Sequence, residues 1–238
     1  LKYANEKKFR YSILTPYFED SSQKKEYKQT LKYLSPSYSR LSKYVKNIVN
    51  GIISSDLDYH IPYMGTEKYL GMIPNPINID KLKNPDLVKR SKIHILHAIN
   101  SKNKIKKGKK IFEKSLSIIE KKYSKKIKVI RTIDIPYSLH IKNVEDCDIL
   151  LDQVYAYDQG YNALEAMALG KVVFTGAEFE WAEYYKIEED SIAINALPDI
   201  TKIVDKLSWL IENPVHLENI SRNAREFIED HHNYKSIA

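Results

Sequence analysis

The sequence has little cysteine and glycine and no long apolar run. Cys147 is the one cysteine among 238 residues, so no disulfide can form within the chain and a reducing cytoplasm is the expected compartment. Seven glycines exclude a collagen-like repeat. No uninterrupted apolar stretch approaches the roughly 20 residues that span a bilayer. Hydrophobic residues nevertheless make up 43% of the chain, which excludes a disordered tail and suits one large domain or two small ones.

Arginine is also scarce, although the net charge is +7. Six arginines stand among 38 basic residues, and twelve lysines lie between Lys102 and Lys128 against two acids, Glu113 and Glu120. The positive charge therefore belongs to one element rather than to the whole chain. A nucleic-acid-binding surface usually favours arginine for bidentate contacts, so nucleic acid is not the expected partner. A solvated helix face is the favoured interpretation, and peripheral contact with an anionic membrane is the alternative.

The part of the chain after residue 90 alternates short apolar runs with longer amphipathic ones. Continuous apolar runs are typical of strands buried in a parallel sheet, and apolar residues at helical spacing are typical of the helices between them. The pattern predicts an α/β fold, a doubly wound Rossmann-like parallel sheet covered by helices on both faces. The predicted strands are 93–96, 127–130, 148–151, 172–174 and 191–194, and the predicted helices are 111–119, 137–144, 163–169, 179–185, 199–211 and 215–229.

Residues 1–66 do not show this regular alternation of strands and helices. They contain two predicted helices, 24–34 and 39–49, and one predicted strand, 51–54, which is too little for a complete domain of the same type. Two prolines, at 74 and 76, fix φ and interrupt pairing, so 67–90 is predicted to be an interdomain linker. The chain also begins at Leu1 rather than at methionine, which is consistent with a fragment. We therefore expect an incomplete N-terminal α/β piece, followed by a second domain from residue 91 to the end.

Ligands of doubly wound sheets bind at the carboxyl ends of the strands, and two loops there carry suitable groups. After the first predicted strand, the polar and lysine-rich stretch 97–108 suits a phosphate; a solvated loop is the alternative. Gly160 is predicted to allow a tight turn, after which the free N–H groups of the next helix face an anion. Glu165 lies about one turn into that helix, where its carboxylate could accept hydrogen bonds from a ribose diol. The alternative is an ordinary amphipathic helix capped by Gly170.

Residues 160–173, which read Gly-Tyr-Asn-Ala-Leu-Glu-Ala-Met-Ala-Leu-Gly-Lys-Val-Val, resemble the signature of group-1 glycosyltransferases of the GT-B fold. In that family a glycine-containing turn leads into Glu-Ala-Met-Ala-x-Gly and then into a short apolar strand. The stretch 73–76, Ile-Pro-Asn-Pro, resembles the family's entry into its C-terminal domain. His97-Ala98, followed by a basic loop to Gly108 and by Asp152-Gln153, is similar to a branch found in capsule and surface-polysaccharide clusters.

The resemblance implies that 91–238 is the nucleotide-sugar donor-binding domain and that 1–66 is a remnant of the acceptor-side N-terminal domain. Glu165 would hold the ribose hydroxyls, and Lys102 and Lys107 would neutralise the donor diphosphate. Residues 132–137 would flank the base, and residues 160–162 would offer backbone N–H groups to the phosphates. The implied donor-binding residues are His97, Lys102, Lys107, Gly160, Tyr161, Asn162 and Glu165.

The implied reaction transfers a sugar from a nucleoside diphosphate sugar to a glycan or lipid-linked acceptor, with retention of configuration, in surface-polysaccharide synthesis. Such an enzyme would work in the cytoplasm or at the inner face of the membrane. It would need no metal cofactor, because lysines and a helix N-terminus can stabilise the departing diphosphate. His231 and His232 point to different faces of a helix, so we interpret them as a helix C-terminal cap rather than as metal ligands.

Two departures from the family pattern keep other functions open. Counting back from Glu165 places Tyr157 where the family has its first glutamate, and Asp158 beside it is the candidate for the missing carboxylate. The acceptor domain, with its histidine, is largely absent; His60 lies in the retained piece, but nothing aligns it with that role. The alternatives are an inactive fragment, a noncatalytic nucleotide-sugar-binding or scaffold module, and a basic protein that docks on membrane or nucleic acid.

Overall fold

The computed structural model describes residues 1–82 and 90–237, which divide into two compact units, Leu1–Ile73 and Pro74–Ala238. Part of the expected linker at 67–90 is regular structure, since Tyr69–Met72 is a strand of the first unit. Residues 83–89 of that linker lie outside the described residues. In the described part of the chain, no helix is long and apolar enough to cross a bilayer.

The first unit consists of short helices around a small parallel sheet. Its elements are α1 (Lys2–Asn5), α2 (Thr15–Glu19), α3 (Lys24–Leu31), α4 (Pro36–Ile48), β1 (Ile52–Ser54), α5 (Leu57–His60) and β2 (Tyr69–Met72), with 3-10 turns at Ser21–Gln23, Lys32–Leu34 and Ile61–Tyr63. β1 and β2 pair in parallel, with Ser54 opposite Met72. Pro36 lies in the first turn of α4, where its fixed φ suits a helix start and its missing N–H removes no hydrogen bond.

The second unit is an α/β domain built on one parallel sheet. Its elements are β3 (Ile93–Ile99), α6 (Lys109–Tyr123), β4 (Ile127–Ile133), α7 (Tyr137–Glu145), β5 (Ile149–Leu151), α8 (Tyr161–Ala168), β6 (Val172–Thr175), α9 (Phe179–Tyr185), β7 (Ile194–Asn195), α10 (Ile200–Glu212), α11 (Pro214–His231) and α12 (Tyr234–Ile237). The strand order is β4-β3-β5-β6-β7, and every pairing is parallel. The predicted doubly wound parallel sheet is confirmed. Because β4 and β5 lie on opposite sides of β3, the order of the strands reverses at β3.

The core of this unit lies between the sheet and its helices. β5 and β6 are buried along their whole length, as expected for strands covered on both faces. Cys147 is fully buried, and burial raises the pKa of its thiol to about 12, so this residue packs as a small apolar group rather than acting as a nucleophile. Gly170 has a φ of 64° and ends α8 as predicted, while the Lys171 N–H donates to the Ala166 carbonyl at 3.0 Å.

The adjacent histidines at the end of α11 have separate structural roles. His232 is buried, and its Nδ1 donates a hydrogen bond to the Asn75 carbonyl at 2.8 Å. His231 packs its ring against Tyr185 and Phe227. Within the described ranges, no group of three or more His, Cys, Asp or Glu side chains could hold a metal ion.

We expect His232 to make the protein less stable as the pH falls from about 6.5 to about 4. Burial lowers the pKa of His232 to about 4, whereas an unfolded histidine titrates near 6.5. No hydrogen-bond partner of its buried Nε2 lies among the described residues, so the folded state disfavours a proton there. The unfolded chain therefore binds more protons in this window, and the free energy of unfolding falls by up to about 3 kcal/mol.

Urea titrations at about pH 7 and about pH 4.5 check this expectation. The His232→Asn variant is the control, because its side-chain amide can still donate to Asn75 but has no titratable nitrogen. The loss of stability between the two pH values should be smaller in the variant than in the parent protein. An equal loss in both proteins would contradict the assignment.

Candidate functional site

A cleft opens at the carboxyl ends of β3 and β4, beside the position where the strand order reverses. Clefts at such positions are the usual ligand sites of doubly wound sheets. Its volume is about 350 Å³, and its lining residues are Ala98, Ile99, Asn100, Asn103, Lys107, Thr132, Asp134, Ile135, Tyr137, His140 and Asn162. The stretch 132–137, which the family resemblance implies to flank the base, contributes four of these residues.

The cleft borders a buried carboxylate. Asp152 follows β5 directly, and its side chain is 1% exposed. Its Oδ1 accepts hydrogen bonds from Lys107 Nζ at 2.5 Å and from Asn162 Nδ2 at 2.7 Å, and its Oδ2 accepts one from Thr175 Oγ1 at 3.3 Å. A buried carboxylate needs such compensation, which here comes from one ammonium and two neutral donors. Two predicted donor-binding residues, Lys107 and Asn162, are thereby brought together.

Two side-chain hydrogen bonds join α7 to α8 at the wall of the cleft. Tyr137 OH donates to Glu165 Oε1 at 2.9 Å, and His140 Nε2 lies 2.6 Å from Asn162 Oδ1. The paired residues are three positions apart on each helix, so they occupy one helix face. Because Asn162 donates to Asp152 through its amide nitrogen, its oxygen accepts, and His140 Nε2 therefore carries a hydrogen.

The predicted ribose ligand, Glu165, is half-buried beside the cleft rather than on its lining. Its hydrogen-bond partner Tyr137 does line the cleft, and the residue is 58% exposed. Burial of the hydroxyl end and the nearby carboxylate raise the pKa of Tyr137 to about 12. The phenol therefore keeps its proton and donates to Glu165 throughout the neutral range.

The N-terminus of α8 follows Gly160 without a side-chain cap. The N–H groups at the start of any helix lack intrahelical acceptors, so those of residues 160–162 have the arrangement that suits an anion. The expected tight turn at Gly160 is wrong. Its φ of −92° and ψ of 172° are extended geometry that any residue adopts, and a Cβ added there would meet no atom within 4 Å. Gly160 is therefore an ordinary N-cap position.

The loop between β5 and α8 is packed. Tyr157, at the position of the family's first glutamate, is 2% exposed. Asp158 is also buried, and its Oδ1 accepts the Gln159 N–H at 2.7 Å. Gln159 Nε2 donates to the Gly176 carbonyl at 2.6 Å. The candidate carboxylate of Asp158 thus lies among the buried groups of this loop, outside the lining of the cleft described above.

The lysine-rich loop after β3 is tied to the loop after β4. The Ser101 N–H donates to Asp134 Oδ1 at 2.8 Å, and the hydrogen bonds from Ser101 together with two nearby lysines lower the pKa of the Asp134 carboxyl. Lys102 is exposed, and its N–H donates to Asn100 Oδ1 at 3.0 Å. Of the two lysines expected at the diphosphate, Lys107 lines the cleft, whereas Lys102 is exposed and is not part of the lining.

His97 belongs to β3 and faces α6 instead of the cleft. The predicted strand ends at residue 96, but pairing with β4 continues to Ile99 opposite Ile133. The buried imidazole lies with its Nδ1 2.6 Å from Glu113 Oε1, and Glu113 also pairs with Arg131 Nε at 3.0 Å. Burial lowers the pKa of His97, against the opposite effect of Glu113. His97 therefore joins β3, α6 and β4 below the site.

Sequence reasoning missed one contributor to the site, His140, and assigned no role to a second, Asp152. His140 lines the cleft and binds Asn162, and Asp152 holds the lysine and the amide in place. The signal for His140 was its position three residues after Tyr137 at the start of a predicted helix, which places both side chains on one face. Asp152 entered the sequence analysis only through the resemblance of Asp152-Gln153 to the capsule branch, and nothing local predicts its burial or its pairing with Lys107.

No protein-family model and no curated protein matches the sequence. Solved structures match its fold. A mutant of TarM from S. aureus, in complex with fondaparinux, alpha-GlcNAc-glycerol and UDP, aligns with a TM-score of 0.62 and 16% identity over 80% of this chain and 43% of its own. Sucrose-phosphate synthase from Thermosynechococcus elongatus aligns with a TM-score of 0.63 and 14% identity over 87% of this chain and 62% of its own. The chain has the fold of part of a GT-B protein.

HepE from Anabaena, in complex with UDP and glucose, shares this GT-B fold with a TM-score of 0.61 and 16% identity over 86% of this chain and 66% of its own. The expected fold is confirmed. Sequence identities this low show similarity of fold alone. This chain spans between 43% and 66% of the length of the three structures.

Proposed function

We propose that the chain is part of a GT-B glycosyltransferase and that its cleft binds a nucleoside diphosphate sugar. The observation that carries the proposal is the meeting of Lys107, the start of α8 and the Tyr137–Glu165 pair at one cleft, where the strand order reverses. Two proteins of similar fold, TarM and HepE, are seen in complex with UDP. The described fold and cleft therefore support a nucleotide as the ligand.

The groups at the cleft suit the two chemical halves of such a ligand. Glu165 would accept hydrogen bonds from the ribose hydroxyls, with 132–137 beside the base. The first N–H groups of α8 and the Lys107 ammonium would face the diphosphate. Lys107 is already paired with Asp152, so its charge is shared, and the helix N-terminus and the exposed Lys102 and Lys104 supply further positive potential.

The proposed reaction passes the sugar to a glycan or lipid-linked acceptor with retention of configuration, in surface-polysaccharide synthesis at the cytoplasmic side of a membrane. The departing diphosphate gains negative charge in the transition state, and fixed positive groups stabilise that charge without a metal. The proposed partners are thus a nucleotide sugar, an acceptor glycan and an anionic membrane surface. Tyr157 stands where the family has its first glutamate, and Asp158 remains the proposed substitute for that carboxylate. Asp158 would have to leave its buried position to contact the donor sugar.

A nucleoside diphosphate should raise the unfolding midpoint of the chain. We would measure thermal shifts with UDP, GDP, ADP and their common sugar conjugates, because a ligand bound to the folded state alone stabilises it by about 2.7 kcal/mol at a hundred times its Kd. In Glu165→Ala the shift with the same nucleotide should be strongly reduced. Glu218→Ala, which removes an exposed glutamate on α11, is the matched control and should keep the full shift.

The panel also includes a short oligonucleotide at two salt concentrations. A shift with the oligonucleotide alone, weakening with salt, would replace the proposal by nucleic-acid docking on the lysine-rich segment. No shift with any nucleotide would contradict a donor site in this chain.

A noncatalytic nucleotide-sugar-binding module is the second candidate. The buried Tyr157 favours it, because a phenol in that packed position offers no carboxylate to the donor sugar. Hydrolysis or transfer of the bound donor, measured after an acceptor-side N-terminal domain is added, separates the two functions: turnover supports the enzyme, and tight binding without turnover supports the module.

A further inference from the structure

Tyr137 is placed to fix the orientation of another side chain. It is the first residue of α7 and follows Pro136, whose φ of −58° is set by its ring. One helical turn later, His140 is hydrogen-bonded to Asn162 of α8. The start of α7 is therefore held against α8 by His140, independently of Tyr137. The backbone of Tyr137 is thus fixed when its phenol donates to Glu165.

Without Tyr137, the Glu165 carboxylate would lose the hydrogen bond that fixes its orientation. The side chain is half-buried on α8, and Tyr137 is the hydrogen-bond donor that the structure shows for its carboxylate in the described part of the chain. A carboxylate has about four lone-pair sites. One is taken by the phenol, and the others stay available to a diol. A carboxylate oriented before binding loses less conformational entropy when a ligand arrives.

We infer that Tyr137 is a positioning residue that orients Glu165 toward the two vicinal hydroxyls of a ribose and so makes the cleft selective for ribonucleotides over deoxyribonucleotides. The inference rests on the proposed function. A site built to hydrogen-bond a hydroxyl discriminates strongly against the analogue that lacks it, because its polar group is then left unpaired. The raised pKa of the phenol supports this role, since Tyr137 OH stays a donor in the neutral range.

The test compares UDP, GDP and ADP with their 2′-deoxy counterparts by titration calorimetry on the full chain. Tyr137→Phe keeps the ring on the cleft wall and removes only the hydroxyl. We expect it to bind the ribonucleotide about tenfold more weakly, because the ligand must then order the Glu165 carboxylate itself, and to bind the deoxyribonucleotide within about twofold of the parent protein. The preference for ribose should therefore shrink by about the same factor. Tyr44→Phe, an exposed tyrosine of α4, is the matched control.

The ribose preference of Glu165→Gln, alone and combined with Tyr137→Phe, gives a second and independent test. If Tyr137 acts through Glu165, the double variant should lose no more ribose preference than Glu165→Gln alone. Equal weakening of ribonucleotide and deoxyribonucleotide in Tyr137→Phe would show a general structural role and overturn the inference. An unchanged ribose preference would overturn it as well. Absence of binding of all six nucleotides to the parent protein would instead refute the proposed donor site, and the inference with it.

Discussion

Replacing Gly176 with alanine is expected to destabilise the chain by about 3 kcal/mol and to abolish nucleotide binding. A Cβ on Gly176 would lie 2.6 Å from the carbonyl oxygens of Ala156 and Asp158. These are backbone atoms, so no side-chain rotation relieves the overlap, and the loop between β5 and α8 has to move. That movement would break the hydrogen bond from Gln159 to the Gly176 carbonyl and displace the start of α8.

Gly160→Ala is the matched control for this experiment, because it adds the same methyl group to a glycine of the same unit. Its backbone is extended and no atom lies within 4 Å of the added Cβ, so the variant should lose no more than about 1 kcal/mol, the cost of alanine in place of glycine at an N-cap. Urea unfolding measures both variants, and thermal shifts measure nucleotide binding by Gly176→Ala. Equal unfolding free energies for the two variants would contradict the close approach at Gly176.

Replacing Lys107 with methionine is expected to destabilise the chain by about 3 kcal/mol. Methionine keeps most of the length and apolar surface of the lysine stem, but removes the ammonium that lies 2.5 Å from Asp152. The Asp152 carboxylate, 1% exposed, would keep only neutral donors, of which Asn162 is the nearer. An uncompensated buried charge is among the most destabilising changes that one substitution produces.

Lys102→Met is the control for the charge of the loop. Lys102 is exposed, so its substitution should change the free energy of unfolding by less than about 0.5 kcal/mol. The double variant Lys107→Met with Asp152→Asn removes both charges and should be more stable than Lys107→Met alone. A double variant as unstable as the single one would show that packing, and not charge, holds the loop.

Much of the second unit could be predicted from the sequence. Its apolar runs fall on β3 to β6, and the helix at 179–185 coincides with α9. Local hydrophobic period suffices there, because buried parallel strands and their covering helices differ in period. The ends of strands were less accurate: β7 is Ile194–Asn195 rather than 191–194, because its extent depends on pairing with Phe174 and Thr175. The short helices α1, α2 and α5 of the first unit were missed, since four or five residues show no period.

The sequence by itself determined the α/β class, the parallel sheet, the cap at Gly170 and the edge of the sheet at which polar groups collect. Only the tertiary structure decided which of these groups face the cleft. Lys107 lies in the cleft because Asp152, 45 residues away in the chain, is buried beside it, whereas Lys102 in the same loop stays exposed. His97 faces α6 because β3 extends past it. Side-chain direction follows from strand pairing and helix rotation, which depend on contacts between distant residues rather than on local pattern.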